Sequence, residues 1–504
     1  MTKLWEAVGD FIVSFSNWIW GMPLFLLLIG GGLYFLIYSG FVPFRYYIRA
    51  LKSLKTNEKD APGQISSFEA LTSAIAATVG MGNISGVAVA LTMGGPGAIF
   101  WMWVSAIVGM ATKFFEGTLT IMYKGRDSAG ELQGGPMYMI TEGLGKKWKP
   151  FAVFFSIFGL IGTLCLMQAN QLTEAITTVF TTPAGIENTI LLRLIIGISI
   201  CLLVSIVVLG GIKRISKVSA RVVPAMVAFY FILVAYIVLT NLPAVPGIFA
   251  SIFGSAFDIQ AGAGGLAGTA IIIGARRAAF VNEAGVGTAS MMHGASRNSE
   301  PVREGLVAMI GPSIDSGLVC TLTALAILIN GNYEVTQIRG IEIALNSFQA
   351  SIPGVGHYLL MIMVLIFAFS TMFSYSYYGV KCTNYLFGAK YAHLYNYFFL
   401  LMLIVGAIIS LDVVVGVIDS AYALMAIKGY VAKTIGTAPL SPTQEIKCLD
   451  FIPSPLNGKR ETNTAKGLEI IIIENATITP MPATSNCISS FGLTSSPRVR
   501  NSIS

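Results

Sequence analysis

Residues Ser67–Thr92 read SFEALTSAIAATVGMGNISGVAVALT. The stretch is long and apolar enough to cross a bilayer, yet Gly80 and Gly82 flank Met81 at its middle and Asn83 follows directly. Glycine loses backbone entropy in a helix, and asparagine competes for backbone hydrogen bonds. Because freed backbone groups persist in a membrane only where protein or a polar cavity satisfies them, the pattern predicts one of two features. It is either a kink that neighbouring helices satisfy or a ligand site built from backbone.

The composition indicates a membrane protein. Of 504 residues, 54% are hydrophobic and only 11% are charged, and the mean hydropathy is +0.72. Soluble proteins carry about 25% charged residues, and repeated apolar runs of about 20 residues are typical of polytopic α-helical membrane proteins. The six cysteines show no paired spacing. Without a nucleophile–base pattern, a P-loop or a metal cluster, the sequence does not predict an enzyme, ATP drive, an organic cofactor or a nucleic-acid partner.

The predicted fold is all-α and polytopic, with about eleven transmembrane helices. Lysines interrupt the last of these spans. The predicted spans are Trp20–Phe41, Ser67–Thr92, Pro96–Tyr123, Pro150–Phe180, Ile190–Gly211, Val222–Thr240, Ile259–Phe280, Gly305–Ile329, His357–Gly379, Leu394–Ile409 and Val414–Ile435.

The basic residues predict the orientation of these spans. Lysine and arginine collect after the first, third, fifth, seventh and ninth spans, and Arg276 and Arg277 count toward the seventh group. The opposite side has almost nothing beyond Lys3, Arg193 and Arg339. The positive-inside rule therefore places the N-terminus outside, the C-terminus inside and the even-numbered spans running outward.

A second glycine-rich segment lies in the seventh span, at Gly262–Thr269. Spans two and seven run in opposite directions, and two interrupted spans in corresponding positions are typical of inverted-repeat secondary transporters. The alternative is that glycine merely allows close helix packing. The predicted organisation is an extra N-terminal helix with a basic loop (residues 1–66), a first repeat (67–240), a second repeat (241–437) and a tail (438–504).

Several spaced motifs resemble those of the alanine or glycine:cation symporter family, also called sodium:alanine symporters. In order they are TVGMGNISGVAVAL, GGPGAIFWMWVSAIVGMATKFFEG, GELQGGPMYMI, QANQ, GGIKRI, FVNEAGVGTASMMHGAS and PVREGLVAM. The resemblance runs from about Trp18 to Ile427. It implies import of alanine or glycine with Na⁺ as the coupling ion, in a bacterial cytoplasmic membrane. It also implies the five-helix inverted repeat of the neurotransmitter:sodium symporters.

The resemblance implies a substrate site at the two breaks. A zwitterion loses its hydration there, and free N–H groups at a helix break suit its carboxylate. We assign the carboxylate to the backbone of Val79–Gly82, with the Thr78 hydroxyl as a helper. Gln168 and Asn170 either contact the substrate or form interhelical hydrogen bonds. The expected substrate-binding residues are Thr78, Val79, Gly80, Met81, Gly82, Gln168, Asn170, Gly264, Gly265, Thr269 and Tyr375.

Aligned with the symporter fold, span nine implies a Na⁺ site. The Ser370 and Thr371 hydroxyls and the Phe367 carbonyl would face the carbonyls of span two. The alternative is that Ser370 and Thr371 bond back to their own helix. Asn83 either coordinates an ion or caps the second half of its span. The expected Na⁺ ligands are Ala76, Val79, Asn83, Phe367, Ser370 and Thr371.

Two charged motifs remain. Lys113 and Glu116 are spaced to pair on one helical face, and we interpret the pair as structural. Residues Asn282–Gly285, near Arg276 and Arg277, suit either a cytoplasmic gate or a packed loop. In the family resemblance, Tyr375 stands where many members carry tryptophan, so the aromatic wall is kept but its size changes.

The character of the chain changes from Lys428 onward. A segment rich in Ser, Thr, Pro and Asn replaces the apolar end expected of the last span, and the tail is predicted to be disordered. If the last helix fails to insert, the second repeat is incomplete. One alternative to Na⁺-coupled import is H⁺-coupled import of the same substrates. The other, because of this C-terminus, is a non-transporting relative that binds amino acids.

Overall fold

The structure, a computed structural model, describes residues 22–55, 61–257, 266–331 and 340–436, together with residues 14, 18 and 19. The predicted tail and Gly262–Gly265 lie outside the described residues. The fold is almost entirely helical, which confirms the predicted class.

The main helices follow the chain in sixteen segments. They are α1 (residues 22–38), α2 (Ser67–Thr78), α3 (Gly82–Gly94), α4 (Gly97–Met122), α5 (Lys149–Gly162), α6 (Leu166–Ile176), α7 (Ile190–Val208), α8 (Gly211–Thr240), α9 (Val245–Ala256), α10 (Leu266–Asn282), α11 (Thr288–His293), α12 (Pro301–Leu328), α13 (Ile341–Ser351), α14 (Gly356–Phe387), α15 (Leu394–Ile408) and α16 (Leu411–Gly436). Short helical segments lie at Val42–Arg45, Tyr47–Ser53, Pro136–Tyr138, Met139–Gly143, Lys146–Trp148, Thr177–Thr181 and Leu242–Ala244. The strands β1 (Gly125–Arg126) and β2 (Leu132–Gln133) form an antiparallel hairpin.

Among the described residues, six helices are long and apolar enough to cross a membrane. The pair α2 and α3 adds a seventh, broken span, bent by 53°. Shorter apolar helices occur at Leu26–Tyr38, Leu242–Ala256, Leu394–Ile408 and Val414–Ala426. Each of the eleven predicted spans overlaps a helix, including the last one, which continues to Gly436.

Three of the main helices were not predicted, α9, α11 and α13. Each is shorter than a membrane span, so a search for apolar runs of about 20 residues passes over it. The C-terminal end of α9 covers α4, since Trp101 donates its indole N–H to the Ala256 carbonyl at 3.1 Å. Asn330 anchors α13 by donating to the Ser347 carbonyl at 3.1 Å.

The broken span lies between two groups of helices. Its first half, α2, packs against α8 and α14, and its second half, α3, packs against α10. A capping box begins α2: the Glu69 N–H donates to the Ser66 hydroxyl at 3.2 Å, and the Ser66 N–H donates to the Glu69 carboxylate at 2.8 Å. The side chains of Ser66 and Glu69 therefore fix where the helix begins, twelve residues before the break.

Helix α4 crosses α12 at very short range through two glycines. A Cβ added to Gly117 would lie 2.9 Å from the Gly305 Cα atom. A Cβ added to Gly305 would lie 2.5 Å from the Phe114 carbonyl oxygen and 2.1 Å from the Thr118 hydroxyl. Small residues permit this approach, which is a common way for helices to associate in membranes.

We therefore expect Gly305→Ala to destabilise the protein by about 2 kcal/mol, because the α4 backbone must move to admit the methyl group. The measurement is the melting temperature of purified protein in detergent. Gly247→Ala on α9 is the matched control, since a Cβ there meets nothing within 4 Å. It should be neutral or slightly stabilising, and equal melting temperatures for Gly305→Ala and wild type would contradict this packing argument.

Candidate substrate and ion site

The break between α2 and α3 is closed by one asparagine. Val79 is extended, and the Gly80 N–H donates to the Asn83 Oδ1 atom at 2.9 Å. The Asn83 Nδ2 group donates to the Asp315 carbonyl and to the Cys320 thiol, both at 3.4 Å. Asn83 thus closes the break and ties it to α12. This geometry favours the capping alternative for Asn83 over its expected role as a Na⁺ ligand.

The same bonds narrow the assignment of the substrate carboxylate. The Gly80 N–H is engaged by Asn83, and the Val79 N–H donates to the Ile75 carbonyl at 2.7 Å. Two of the four backbone amides assigned to the carboxylate therefore have partners within the chain. The geometry thus favours the N–H groups of Met81 and Gly82 over those of Val79 and Gly80 for this role.

Helix α14 meets the break from the other side. The Thr371 hydroxyl donates to the Ala76 carbonyl at 3.1 Å, and a Cβ added to Gly80 would lie 2.3 Å from the same hydroxyl oxygen. By contrast, Ser370 bonds back to the Phe367 carbonyl of its own helix at 3.0 Å. Of the two hydroxyls expected at the Na⁺ site, Thr371 reaches across to span two and Ser370 follows the alternative. All these residues are buried.

The sequence suggested a second break at Gly262–Thr269. The residues from Leu266 to Thr269 are helical and belong to α10, which continues to Asn282, whereas Gly264 and Gly265 lie outside the described residues. Within the described residues, a break follows Asn282. The physical reason is conformational, because three residues with left-handed backbone interrupt the helix there: Glu283 (φ 53°), Gly285 (φ 94°) and Gly287 (φ 97°).

This second break lies against the first. A Cβ added to Gly82 would contact the Val281 side chain at 3.4 Å. The segment that the sequence assigned to a cytoplasmic gate or packed loop, Asn282–Gly285, is thus the partner of the α2–α3 break. Asn282 stabilises it much as Asn83 stabilises the first, because its Oδ1 atom accepts the Ala284 N–H at 2.9 Å.

Glu283, which the sequence assigned to a cytoplasmic gate or a packed loop, is a central residue of the site. Its carboxylate is fully buried and accepts hydrogen bonds from the hydroxyls of Tyr375, Thr288 and Tyr422, the last at 3.1 Å. Tyr422 also donates to the Tyr375 hydroxyl at 2.5 Å. Tyr375, the expected aromatic wall, is therefore oriented by Glu283. The signal in the sequence was an acidic residue between an apolar run and two glycines.

Lys113 and Glu116 form the expected pair and also support the second break. The Lys113 ammonium lies 3.9 Å from one Glu116 oxygen, while the other Glu116 oxygen accepts the Gly285 N–H at 2.9 Å. Lys113 interacts electrostatically with Glu283 and Asp315 as well. One buried lysine thus faces three buried carboxyl groups around the two breaks, and Glu116 satisfies a backbone group that the break exposes.

A third break interrupts the fourth span between α5 and α6. Cys165 has a left-handed backbone (φ 53°). The Tyr395 hydroxyl donates to the Leu160 carbonyl at 2.9 Å and lies 3.0 Å from the Thr163 hydroxyl. Helix α15, which carries Tyr395, therefore satisfies backbone groups at this break. No residue pattern predicted the break between α5 and α6, because leucine and cysteine rather than glycine precede α6.

The two amides of α6 differ from the substrate contacts we expected. Asn170 donates to the carbonyls of Gly406 and Ile409 at 3.2 and 2.6 Å, which is the interhelical alternative. It satisfies backbone oxygens at the end of α15. Gln168 is partly exposed, and no described hydrogen bond joins it to either break.

Arg276 and Arg277 are not loop residues, since both lie within α10. The Arg276 guanidinium pairs with the Asp419 carboxylate of α16 at 2.9 Å. Two buried or half-buried opposite charges at this distance satisfy each other's hydrogen bonds and link α10 to α16. The basic residues that follow the seventh span are therefore Arg297 and Arg303, without Arg276 and Arg277.

The chain is similar to known transport proteins. A profile of the sodium:alanine symporter family matches residues 5–444. The sodium/alanine symporter AgcS of Methanococcus maripaludis is 39% identical over 82% of this chain and 91% of its own length. The amino-acid carrier protein AlsT of Bacillus subtilis is 34% identical over 82% and 86%.

A solved structure supports the fold. The crystal structure of MhsT in complex with L-phenylalanine matches with a TM-score of 0.52 and 16% identity, and covers 78% of this chain and 97% of MhsT. This similarity agrees with the inverted-repeat fold that the sequence resemblance implied. Given the profile match across most of its length and relatives above 30% identity, the chain belongs to the sodium:alanine symporter family.

Proposed function

We propose that this protein is a secondary transporter that imports alanine or glycine in symport with Na⁺. The observation that carries the proposal is the contact between the Thr371 hydroxyl and the Ala76 carbonyl beside Gly80. In transporters of inverted-repeat type, unwound carbonyls and half-helix ends hold the cation, and half-helix N-termini hold the anionic group of the substrate. The name of the related symporter AgcS supports the same substrate and ion.

The cation site uses neutral oxygens. The carbonyls of Ala76, Val79 and Phe367 and the hydroxyl of Thr371 supply the set, and all four residues are buried. When Na⁺ binds, the Thr371 hydroxyl turns its proton away from the Ala76 carbonyl and offers an oxygen instead. The hydrogen bond between Thr371 and Ala76 is thus lost, and both of its oxygens become ligands of the ion.

The substrate carboxylate occupies the N-terminal end of the second half of the span. The Met81 and Gly82 N–H groups and the positive end of the helix dipole attract it. Gly80 leaves the approach open because it has no side chain. The ring of Tyr375, held by Glu283 and Tyr422, limits the size of the substrate side chain.

Transport follows from movement of one helix group against the other around the breaks. The distribution of basic loops supports an N-terminus outside and a C-terminus inside. The family resemblance supports a bacterial inner membrane. The Arg276–Asp419 pair joins α10 to α16, so a movement that separates these helices must break it.

Symport with H⁺ is the second candidate. Glu283 favours it, because a fully buried carboxyl group with three hydroxyl partners at the breaks can hold a proton. Uptake that an inward proton gradient drives without Na⁺, and that Glu283→Gln abolishes, would support this alternative.

The direct test of the proposal is uptake of labelled alanine and glycine into proteoliposomes that contain the full chain. An inward Na⁺ gradient should drive accumulation above the external concentration. Dissipating the gradient with an ionophore should remove it. Uptake that is indifferent to both Na⁺ and H⁺ gradients would contradict the proposal. Saturable binding without accumulation would indicate a non-transporting relative.

We expect Gly80→Ala to lower alanine uptake at least about ten-fold, because the new methyl group would collide with the Thr371 hydroxyl. The matched control is Gly86→Ala in the same broken span, where a Cβ meets nothing within 4 Å. Its uptake should stay close to that of wild type. Equal uptake by the two variants would contradict the placement of the site at Gly80.

Removal of the Thr371 hydroxyl should weaken Na⁺ binding selectively. In Thr371→Val, the Na⁺ concentration for half-maximal uptake should rise about ten-fold, since one ligand is lost from a buried site. Thr371→Ser keeps the hydroxyl and should retain the Na⁺ dependence of wild type. If Thr371→Val shows an unchanged Na⁺ dependence, Thr371 is not a ligand.

A further inference from the structure

A cavity of about 210 Å³, lined by both apolar and polar side chains, lies beside α14. It is lined by Gln64, Gln133, Val208, Gly211, Ile212, Ile215, Ser376, Tyr377, Val380, Lys381, Asn384 and Asn396. Sites for drug-sized ligands usually exceed about 300 Å³, whereas a single water needs only about 15 Å³. The volume therefore suits a small molecule rather than a large ligand or one water.

Lys381 provides the positive charge of this cavity. Its side chain is only 3% exposed, and its partners are the Gln133 amide oxygen and the face of the Tyr377 ring, 5.2 Å from the ammonium. Within the described part of the chain, Lys381 forms no ion pair. The nearby Asp127 carboxylate accepts hydrogen bonds from Gln133 and Asn384, at 2.8 and 2.9 Å. A buried ammonium without a paired carboxylate is unfavourable, and a bound anion would relieve this.

The rest of the cavity offers hydrogen-bond acceptors. The Oδ1 atoms of Asn384 and Asn396 and the Tyr377 hydroxyl are buried and have no hydrogen-bond partner among the described residues. An amide oxygen can only accept, and an ammonium group donates three hydrogen bonds. The cavity thus combines one cation with several free acceptors, which is the complement of a carboxylate joined to an ammonium group.

The position of the cavity connects it to the proposed transport path. Lys381 follows Thr371 by ten residues on α14, which is about 15 Å along the helix axis. Gln133 belongs to the β hairpin after α4, and Gly211 begins α8; both lie on the side with the basic loops. A molecule that leaves the breaks toward this side would pass α14 at the level of Lys381.

We propose that this cavity is a second binding site for a small α-amino acid. Lys381 holds the carboxylate, and Asn384, Asn396 and Tyr377 accept hydrogen bonds from the ammonium group. The amino acid occupies this site when it leaves the helix breaks toward the side of the membrane that carries the basic loops. This inference rests on the proposed function, since it takes its ligand from the proposed substrate.

The test is equilibrium binding of labelled alanine to the purified full chain in lipid nanodiscs with Na⁺ present. Wild type should bind two alanines per protein. Lys381→Met keeps the length of the side chain and removes its charge, so one site should weaken at least about ten-fold and the other stay unchanged. Asn396→Leu should weaken the same site, and it provides an independent variant if Lys381→Met does not fold. Gly80→Ala should lose the other site and keep this one.

Two results would overturn the inference. One is a single site per protein that Gly80→Ala removes and Lys381→Met leaves intact, which means that the cavity holds only water while the proposed function stands. The other is displacement of alanine from the Lys381 site by equal concentrations of chloride or inorganic phosphate, which means that the cavity is a site for simple anions. If no protein binds alanine at all, the proposed function fails as well.

Discussion

The structure depends on how backbone groups are satisfied where a helix stops inside a membrane. Each break exposes N–H and C=O groups that water does not reach, and each must find a partner in the protein. Asn83 accepts the Gly80 N–H, Glu116 accepts the Gly285 N–H, and Tyr395 donates to the Leu160 carbonyl. The partners are polar side chains in an otherwise apolar chain. Their burial is therefore explained by the breaks that they support.

The same constraint explains the charges in the interior. Glu116 is held where a backbone amide needs an acceptor, and Lys113 then lies where it offsets several carboxyl groups together. A site that relies on backbone dipoles needs few charged side chains of its own. This is consistent with a chain that is 11% charged and belongs to a family of amino-acid symporters, because a zwitterion has no net charge to neutralise.

The sequence predicted the first break well and the second poorly. Two glycines and an asparagine within four residues make continuous helix unfavourable at Gly80–Asn83, and the structure breaks there. The glycine run at Gly262–Thr269 looked equivalent, but glycine also serves close packing, and α10 passes through Thr269 intact. The break after Asn282 was hidden because Glu283 and its glycines looked like the start of a polar loop. Hydropathy does not distinguish a buried acidic residue from an exposed one.

Contacts between distant segments were predictable only through the resemblance. Nothing in the residues alone aligns Thr371 with Ala76, which are 295 positions apart, yet the expected alignment of spans two and nine places them in contact. Tyr422 and Cys165 were not predicted from the sequence. Tyrosine and cysteine are ordinary in apolar helices; only the fold brings Tyr422 to Glu283 and gives Cys165 its left-handed backbone.

Helix α14 connects these features because it continues unbroken for 32 residues past the two main breaks. Thr371 contacts the first break, and Tyr375 contacts the second one turn later. Lys381 contacts the hairpin after α4. A helix without a break transmits displacement along its whole length, whereas a broken helix can bend at its break. One continuous helix therefore contacts the first break, the second break and the Lys381 cavity.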